Sequence, residues 1–365
     1  MEILTVYFEH LLMKFFSIKF RRLNYQSVIT LMIICTIFNC KDAMEEIKYI
    51  DKEIIVGHIE DENLIYTNWK KNVVIENFKT GDTIFIYKTV DINNVMPITR
   101  KTHIYFKNSD SDFKCVDFKA NIPIWSVNTP NKIKNFIVLN DSIGLLDIKN
   151  FGLVALNLLN GKKVFNIDYE YGRDGCNVPD MSPYPIIFDK DFFYINNFLC
   201  RTIRAYDVNN GKEVWSRELG KGMSQSIIVD DQIFIGMNNA YTSGNIYLLD
   251  KKSGDIKHQQ IIPFEERMKV VEWNNKIIFY DYKANCLQEF DLVKKEIKTL
   301  KTSEGTNDIT GQLFLLNNNL YYQNNNFEIV KFDLISYKEK VLIKSKKGGI
   351  SGMGFNSFND EVVYW

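Results

Sequence analysis

Seven Asp or Asn residues, Asn77, Asp117, Asn157, Asp207, Asp250, Asp291 and Asp333, recur down the chain at intervals of 40, 40, 50, 43, 41 and 42 residues. A period this regular over most of a 365-residue chain requires one supersecondary unit built repeatedly. The fullest copy is AYDVNNGKEVW at 205–215, where Asp207 is followed four residues on by Gly211 and eight on by Trp215. The same frame holds at Asn77, Gly81 and Phe85, at Asp117, Asn121 and Trp125, at Asn157, Gly161 and Phe165, and at Asp250, Gly254 and His258. At Asp291 and Asp333 only the anchor and its flanking apolar residues survive.

Each frame reads as a strand, a tight turn and a second strand. Asp or Asn accepts backbone hydrogen bonds two residues on, and Gly takes a positive φ. Upstream of each anchor lie two more strand-like runs split by a polar turn, as in SIIVDDQIFIG at 226–236 and QLFLLNNNLYYQ at 312–323. Four short antiparallel strands in about 42 residues are the signature of a propeller blade. The expected fold is therefore all-β, a β-propeller of seven or eight four-stranded blades occupying 53–365. GISGMGFNSFNDEVVYW at 349–365 supplies two strands beyond the seventh repeat. The run IKYIDKEIIVGHI near residue 50 either adds to that blade or opens the first, which leaves the count open. The seven anchors are expected to be structural, with the aromatic eight residues on packing between blades.

The frame A/L-x-D/N-x-x-x-G-K-x-x-W/F resembles the repeat of the pyrroloquinoline-quinone (PQQ) type propellers. The best copy stands at 205–215, with good ones at 155–165 and 74–85. A lipid-anchored propeller of this length is similar to the propeller lipoproteins of the outer-membrane barrel-assembly machinery. Quinoprotein dehydrogenases of the same fold are implied to hold PQQ and calcium, usually with adjacent cysteines and a longer chain. Adjacent cysteines are missing from this sequence, and its blades leave little room for insertions. No cofactor is expected.

The first 40 residues differ from the rest. Lys14, Lys19, Arg21 and Arg22 precede the apolar run VITLMIICTIF at 28–38, which ends at Cys40. Eleven residues are too few to span a bilayer as a helix but suit the apolar region of a secretory signal. The segment resembles a bacterial lipoprotein signal, which implies lipid attachment at Cys40 and export to the cell envelope, and the resemblance above implies the outer membrane. Residues 1–12 fit no part of such a signal, and Met13 is the better start. Residues 41–52 then form a short tether.

Formal net charge is zero, so no global basic field recruits nucleic acid. Cys115, Cys176, Cys200 and Cys286 are scattered without a CxxC, which supports neither a zinc nor a redox site, and Cys176 and Cys200 are either paired or free. His58, His103 and His258 stand apart in sequence, and catalytic and metal-ligating residues are expected to be none. NSDSDF at 108–113 spaces Asn108, Asp110 and Asp112 as a calcium loop does, but has Phe113 at the sixth position where glycine belongs and Lys119 at the twelfth. It is expected to be a polar turn.

One interval is ten residues longer than its neighbours, and the excess falls in YEYGRDGCNVPDMSPYP at 169–185. Extra length in a propeller connection goes to a face, where loops on a rigid scaffold bind partners. Tyr169, Tyr171, Arg173, Asp174 and Tyr184 are the candidate contact residues, of types enriched at binding hot spots or able to pair with them. The expected function is a non-catalytic envelope lipoprotein that binds a protein or peptide. The alternative is a propeller that acts on a carbohydrate or holds a quinone in its channel, signalled by acidic residues gathered with His58, His103 or Arg173 at one mouth.

Overall fold

The computed structural model of the protein describes residues 48–49, 54–168, 170–171, 177–178, 186–197, 202–219, 223–239, 243–262, 269–281, 286–302, 313–324, 326, 328–344, 353–356 and 361–364. Among them there is no helix, and the strands form seven four-stranded antiparallel sheets, each ordered as in the sequence. Blade 1 comprises Ile54–Glu60, Asn63–Asn68, Asn72–Asn77 and Thr83–Lys88. Blade 2 comprises Ile98–Arg100, His103–Ser109, Asp112–Asp117 and Ile122–Asn128, and blade 3 Ile133–Val138, Ile143–Ile148, Gly152–Asn157 and Lys163–Asp168. Blade 4 comprises Ile187–Phe188, Phe192–Asn197, Thr202–Asp207 and Glu213–Glu218. Blade 5 comprises Met223–Val229, Gln232–Asn239, Ser243–Asp250 and Ile256–Ile262, and blade 6 Lys269–Trp273, Lys276–Asp281, Cys286–Asp291 and Glu296–Thr302. Blade 7 comprises Phe314–Leu316, Asn319–Gln323, Glu328–Asp333 and Glu339–Lys344. The first strand of blade 5 touches those of blades 4 and 6, and that of blade 6 touches that of blade 7, so the first strands line the axis.

Both chain ends enter an eighth, three-stranded sheet. Met353–Asn356 and Glu361–Tyr364 form a hairpin, and Lys48–Tyr49 pairs in parallel with its second strand. The hairpin's first strand lies against the first strand of blade 1. The N-terminal run thus does both things its sequence allowed: Ile54–Glu60 opens blade 1 and Lys48–Tyr49 joins the closing sheet.

Among the described residues, most hydrophobic clusters are shared by two successive blades, while two lie within blade 1 and blade 7 alone. Leu145, Leu153 and Ala155 of blade 3 pack on Phe193, Ile195 and Tyr206 of blade 4, while Leu146 and Val154 turn to Tyr105, Phe113 and Cys115 of blade 2. Because both faces of the middle strands are covered, these strands read as continuous apolar runs, and Ile143–Ile148 is buried at every position. Fourth strands close the outer edge and alternate instead, as Glu213–Glu218 does. Fully burying one such aliphatic or aromatic side chain stabilises the fold by about 1.5–3 kcal/mol.

The repeat's turn is the same device seven times. Each anchor ends the third strand, and its Oδ1 accepts the N–H groups two and three residues on: Lys79 and Thr80 at Asn77, Lys119 and Ala120 at Asp117, Leu159 and Asn160 at Asn157. Asp207, Asp250, Asp291 and Asp333 do likewise. The residue four on is always left-handed, glycine in four blades but Asn121, Lys295 and Tyr337 in the others, with φ of 57°, 60° and 56°. The glycine has a second role. A Cβ on Gly161 would stand 2.8 Å from the Trp125 indole of blade 2, one on Gly254 2.6 Å from Trp215 of blade 4, and one on Gly211 inside contact with Phe165 of blade 3. Each aromatic therefore lies on the turn of the next blade, and Trp125 Nε1 and Trp215 Nε1 donate to the carbonyls of Leu158 and Lys251 there, at 2.9 and 3.1 Å.

Candidate functional site

The antiparallel path sets two faces. In blade 1 the register pairs Ile54 with Asn68 and Asn72 with Lys88, so one end of the blade gathers the start of the first strand, the turn between second and third, and the exit of the fourth. All connections between blades leave from this face. The connection from blade 3 to blade 4 leaves at Asp168, which pairs with Gly152, and raises a two-stranded ribbon of Glu170–Tyr171 against Asn177–Val178 outside any blade. The ribbon's register places Tyr171 opposite Asn177. Tyr169, Arg173, Asp174 and Tyr184 lie outside the described residues, as do Cys176, Cys200, Cys40 and the whole leader.

The opposite face carries the turns between first and second strands, and there the first strand of blade 1 meets that of blade 2. Thr99 Oγ1 donates to Glu60 Oε2, and the Arg100 guanidinium stands 3.7 Å from Glu60 Oε1. His58, two residues before Glu60 on the same strand, keeps a buried Nδ1 without a hydrogen-bond partner. Burial holds its imidazole below the ordinary pKa, Glu60 drawing it up and Arg100 pushing it further down. Arg100 also pairs across the hairpin with His103, whose ring meets Tyr105 edge-on with centroids 6.4 Å apart. The structure thus brings together His58, Glu60, Thr99 and Arg100. Sequence reasoning named His58 and His103 and missed the other three, whose only signal is their position on first strands. His258 packs instead against Phe290 of blade 6, ring centroids 5.8 Å apart.

The NSDSDF turn is filled by lysines. Lys107, only 1% exposed, donates to Asp110 Oδ1 at 2.7 Å, and Lys132 stands 3.3 Å from Asp110 Oδ2. Asp112 accepts from Asn108 Nδ2 at 2.7 Å and Ser126 Oγ at 2.6 Å. Among the described residues no three of His, Cys, Asp and Glu stand together in a geometry suited to a metal. Cys115 and Cys286 are buried free thiols, and burial pushes the Cys115 thiol up to about 12, far from the thiolate that nucleophilic chemistry needs.

A family model described as Outer membrane protein assembly factor BamB, of the PQQ type, matches residues 53–260. Comparison with curated proteins gives no match. Among solved structures, BamB from Moraxella catarrhalis is 12% identical, with a TM-score of 0.56 over 75% of this chain and 80% of that one. The computationally designed Ika8 protein is 10% identical, with a TM-score of 0.63 over 87% of this chain and 98% of the design. Quinohemoprotein alcohol dehydrogenase ADHIIG from Pseudomonas putida HK5 is 11% identical, with a TM-score of 0.55 over 84% of this chain and 69% of the enzyme. Identities this low carry the fold alone, and an assembly factor, a design and a dehydrogenase share it. The matched model spans more than half of the sequence, and on that ground the chain belongs to the family of the outer membrane protein assembly factor BamB.

Proposed function

We propose that the protein is an exported, lipid-anchored propeller of the cell envelope that binds a protein or peptide partner and performs no catalysis of its own. The observation that carries this reading is the ribbon of Glu170–Tyr171 and Asn177–Val178, raised from a rigid blade outside the repeat that builds everything else. A loop held at both ends by a packed scaffold loses little freedom on binding. Tyr169, Tyr171, Arg173, Asp174 and Tyr184 are its contact residues in this reading. Residues 1–40 are the signal, Cys40 carries the lipid, and of the expected tether 41–52 the part before Lys48, which joins the closing sheet, spans to the propeller. The family's description supports a partner in outer-membrane assembly.

The test is capture from intact, cross-linked envelopes, comparing the wild type with a variant lacking 172–182. A reproducible partner lost with the deletion supports the scaffold and locates its site. The absence of any specific partner in both samples contradicts it.

The grouping of His58, Glu60, Thr99 and Arg100 favours a second reading, a small polar ligand such as a carbohydrate held at the opposite mouth. Glu60 is already taken by Thr99 and Arg100, so the group offers a binding patch rather than an acid and base pair. Ligand screening of the wild type against Glu60→Gln separates the two readings.

A further inference from the structure

Between blades 1 and 2 the chain runs from Thr89 to Pro97 outside any sheet, yet its side chains alternate as in a strand. Asn93, Val95 and Pro97 are buried, whereas Val90, Ile92 and Met96 are exposed at 61%, 43% and 40%. Beside them Trp69 stands 60% exposed on the turn between the second and third strands of blade 1. Neither segment is slack. Asn68 Oδ1 accepts the N–H groups of Lys70 and Asn72 at 3.1 Å each, which fixes the Trp69 turn. Thr89 N–H donates to the Lys71 carbonyl at 2.8 Å, Lys71 Nζ donates to the Val90 carbonyl at 2.9 Å, and the buried Thr67 hydroxyl donates to the Asn93 carbonyl at 2.8 Å. Four large apolar side chains are thus held outward on a rigid frame, where packing gives no account of them.

The rim of this patch is cationic. Lys70 and Lys88 are exposed beside Trp69, and the Lys88 ammonium reaches the Lys70 carbonyl. The one carboxylate on the strap, Asp91, accepts the Asp110 N–H at 3.0 Å. An indole and aliphatic side chains ringed by lysines match the interfacial zone of an anionic bilayer, where indoles sit at headgroup level and lysine stems reach the headgroup charge. The register supplies a second argument. Ile54 pairs with Asn68, so blade 1 begins next to Trp69. Seven residues separate Cys40 from Lys48, where the chain joins the closing sheet, a reach of at most ~25 Å when extended.

We propose that Trp69, Val90, Ile92 and Met96, with Lys70 and Lys88, form a membrane-docking surface that rests on anionic lipid headgroups. The orientation rests on the lipid-anchored reading above, while the docking itself requires only an anionic bilayer.

The test uses the full chain on vesicles of phosphatidylethanolamine with phosphatidylglycerol, and on phosphatidylcholine alone, each doped with lipid brominated high on the acyl chain. Subtracting the quenching of Trp69→Phe from that of the wild type isolates Trp69 among the five tryptophans. The expected result is a Trp69 component that requires the anionic lipid, fades with salt, and falls roughly tenfold in Lys70→Glu/Lys88→Glu. Equal quenching in wild type and Trp69→Phe overturns the proposal, as does a Trp69 component indifferent to lipid charge and to the two lysines. A dimer in solution that Trp69→Phe dissolves also overturns it, in favour of a second copy as occupant. Mass spectrometry of Cys40 from envelopes tests the anchor separately. An unmodified Cys40 with the Trp69 signal intact removes the anchor and leaves the docking surface standing.

Discussion

Gly211 and Gly81 hold the same turn position with nearly the same φ, 69° and 77°, yet they are not equivalent. A methyl group on Gly81 meets nothing within 4 Å, whereas one on Gly211 enters the Phe165 ring. Gly81→Ala is therefore expected to cost about 1 kcal/mol, from backbone strain alone. Gly211→Ala adds overpacking and should cost about 2–4 kcal/mol, a gap that urea unfolding midpoints resolve. The anchors make a matching prediction. Asn already serves at 77 and 157, so Asp333→Asn should be nearly neutral at pH 7, while Asp333→Ala loses two accepted hydrogen bonds and about 1 kcal/mol by the same measurement. Hydrogen bonds from backbone N–H groups hold the Asp117, Asp250, Asp291 and Asp333 carboxyls below the usual range. Their stabilisation is present above the unfolded carboxylate value and is lost as pH falls through the lower folded values.

The two eroded blades show how a repeat can fade from sequence while its element persists. In blades 1 to 5 the bulge of the outer hairpin falls just before the anchor, as between Ala205 and Tyr206, which turns the residue eight on toward the next blade. In blades 6 and 7 it lies two residues further from the turn, at Leu287/Gln288 and Ile329/Val330. A shift of this kind moves the inward position from the eighth residue to the ninth, and Leu300 and Leu342 take the aromatic's place against the core. Leu300→Ala should accordingly cost about 2–3 kcal/mol and Thr299→Ala almost nothing in unfolding experiments. The four-stranded unit was legible because Asp291 and Asp333 keep their turns and the middle strands keep their apolar runs. The moved bulge was not, since both registers leave the same residues in the same order. The candidate site could be marked only by chain length. The long interval marked 169–185, whereas Glu60, Thr99 and Arg100 meet through packing between blades, which no local spacing records.

At the scale of the whole molecule, aromatics of blades 2, 3 and 4 lie on the turn of the next blade, and leucines take the aromatic's place in blades 6 and 7. His58 ties stability to mild acid. Its folded pKa is below its ordinary value, so the unfolded chain takes up the proton first, and stability should fall as pH drops below about 6.5. His58→Gln is expected to flatten the thermal midpoint between about pH 7 and 5 relative to the wild type. The central claim, that the ribbon face holds a partner, is tested most directly by a photo-crosslinking amino acid placed at Tyr171 in intact cells, with Ile335 on an exposed outer turn as the control. The account predicts a discrete adduct at 171 and none at 335. No adduct at 171, or the same adducts at both positions, would contradict it.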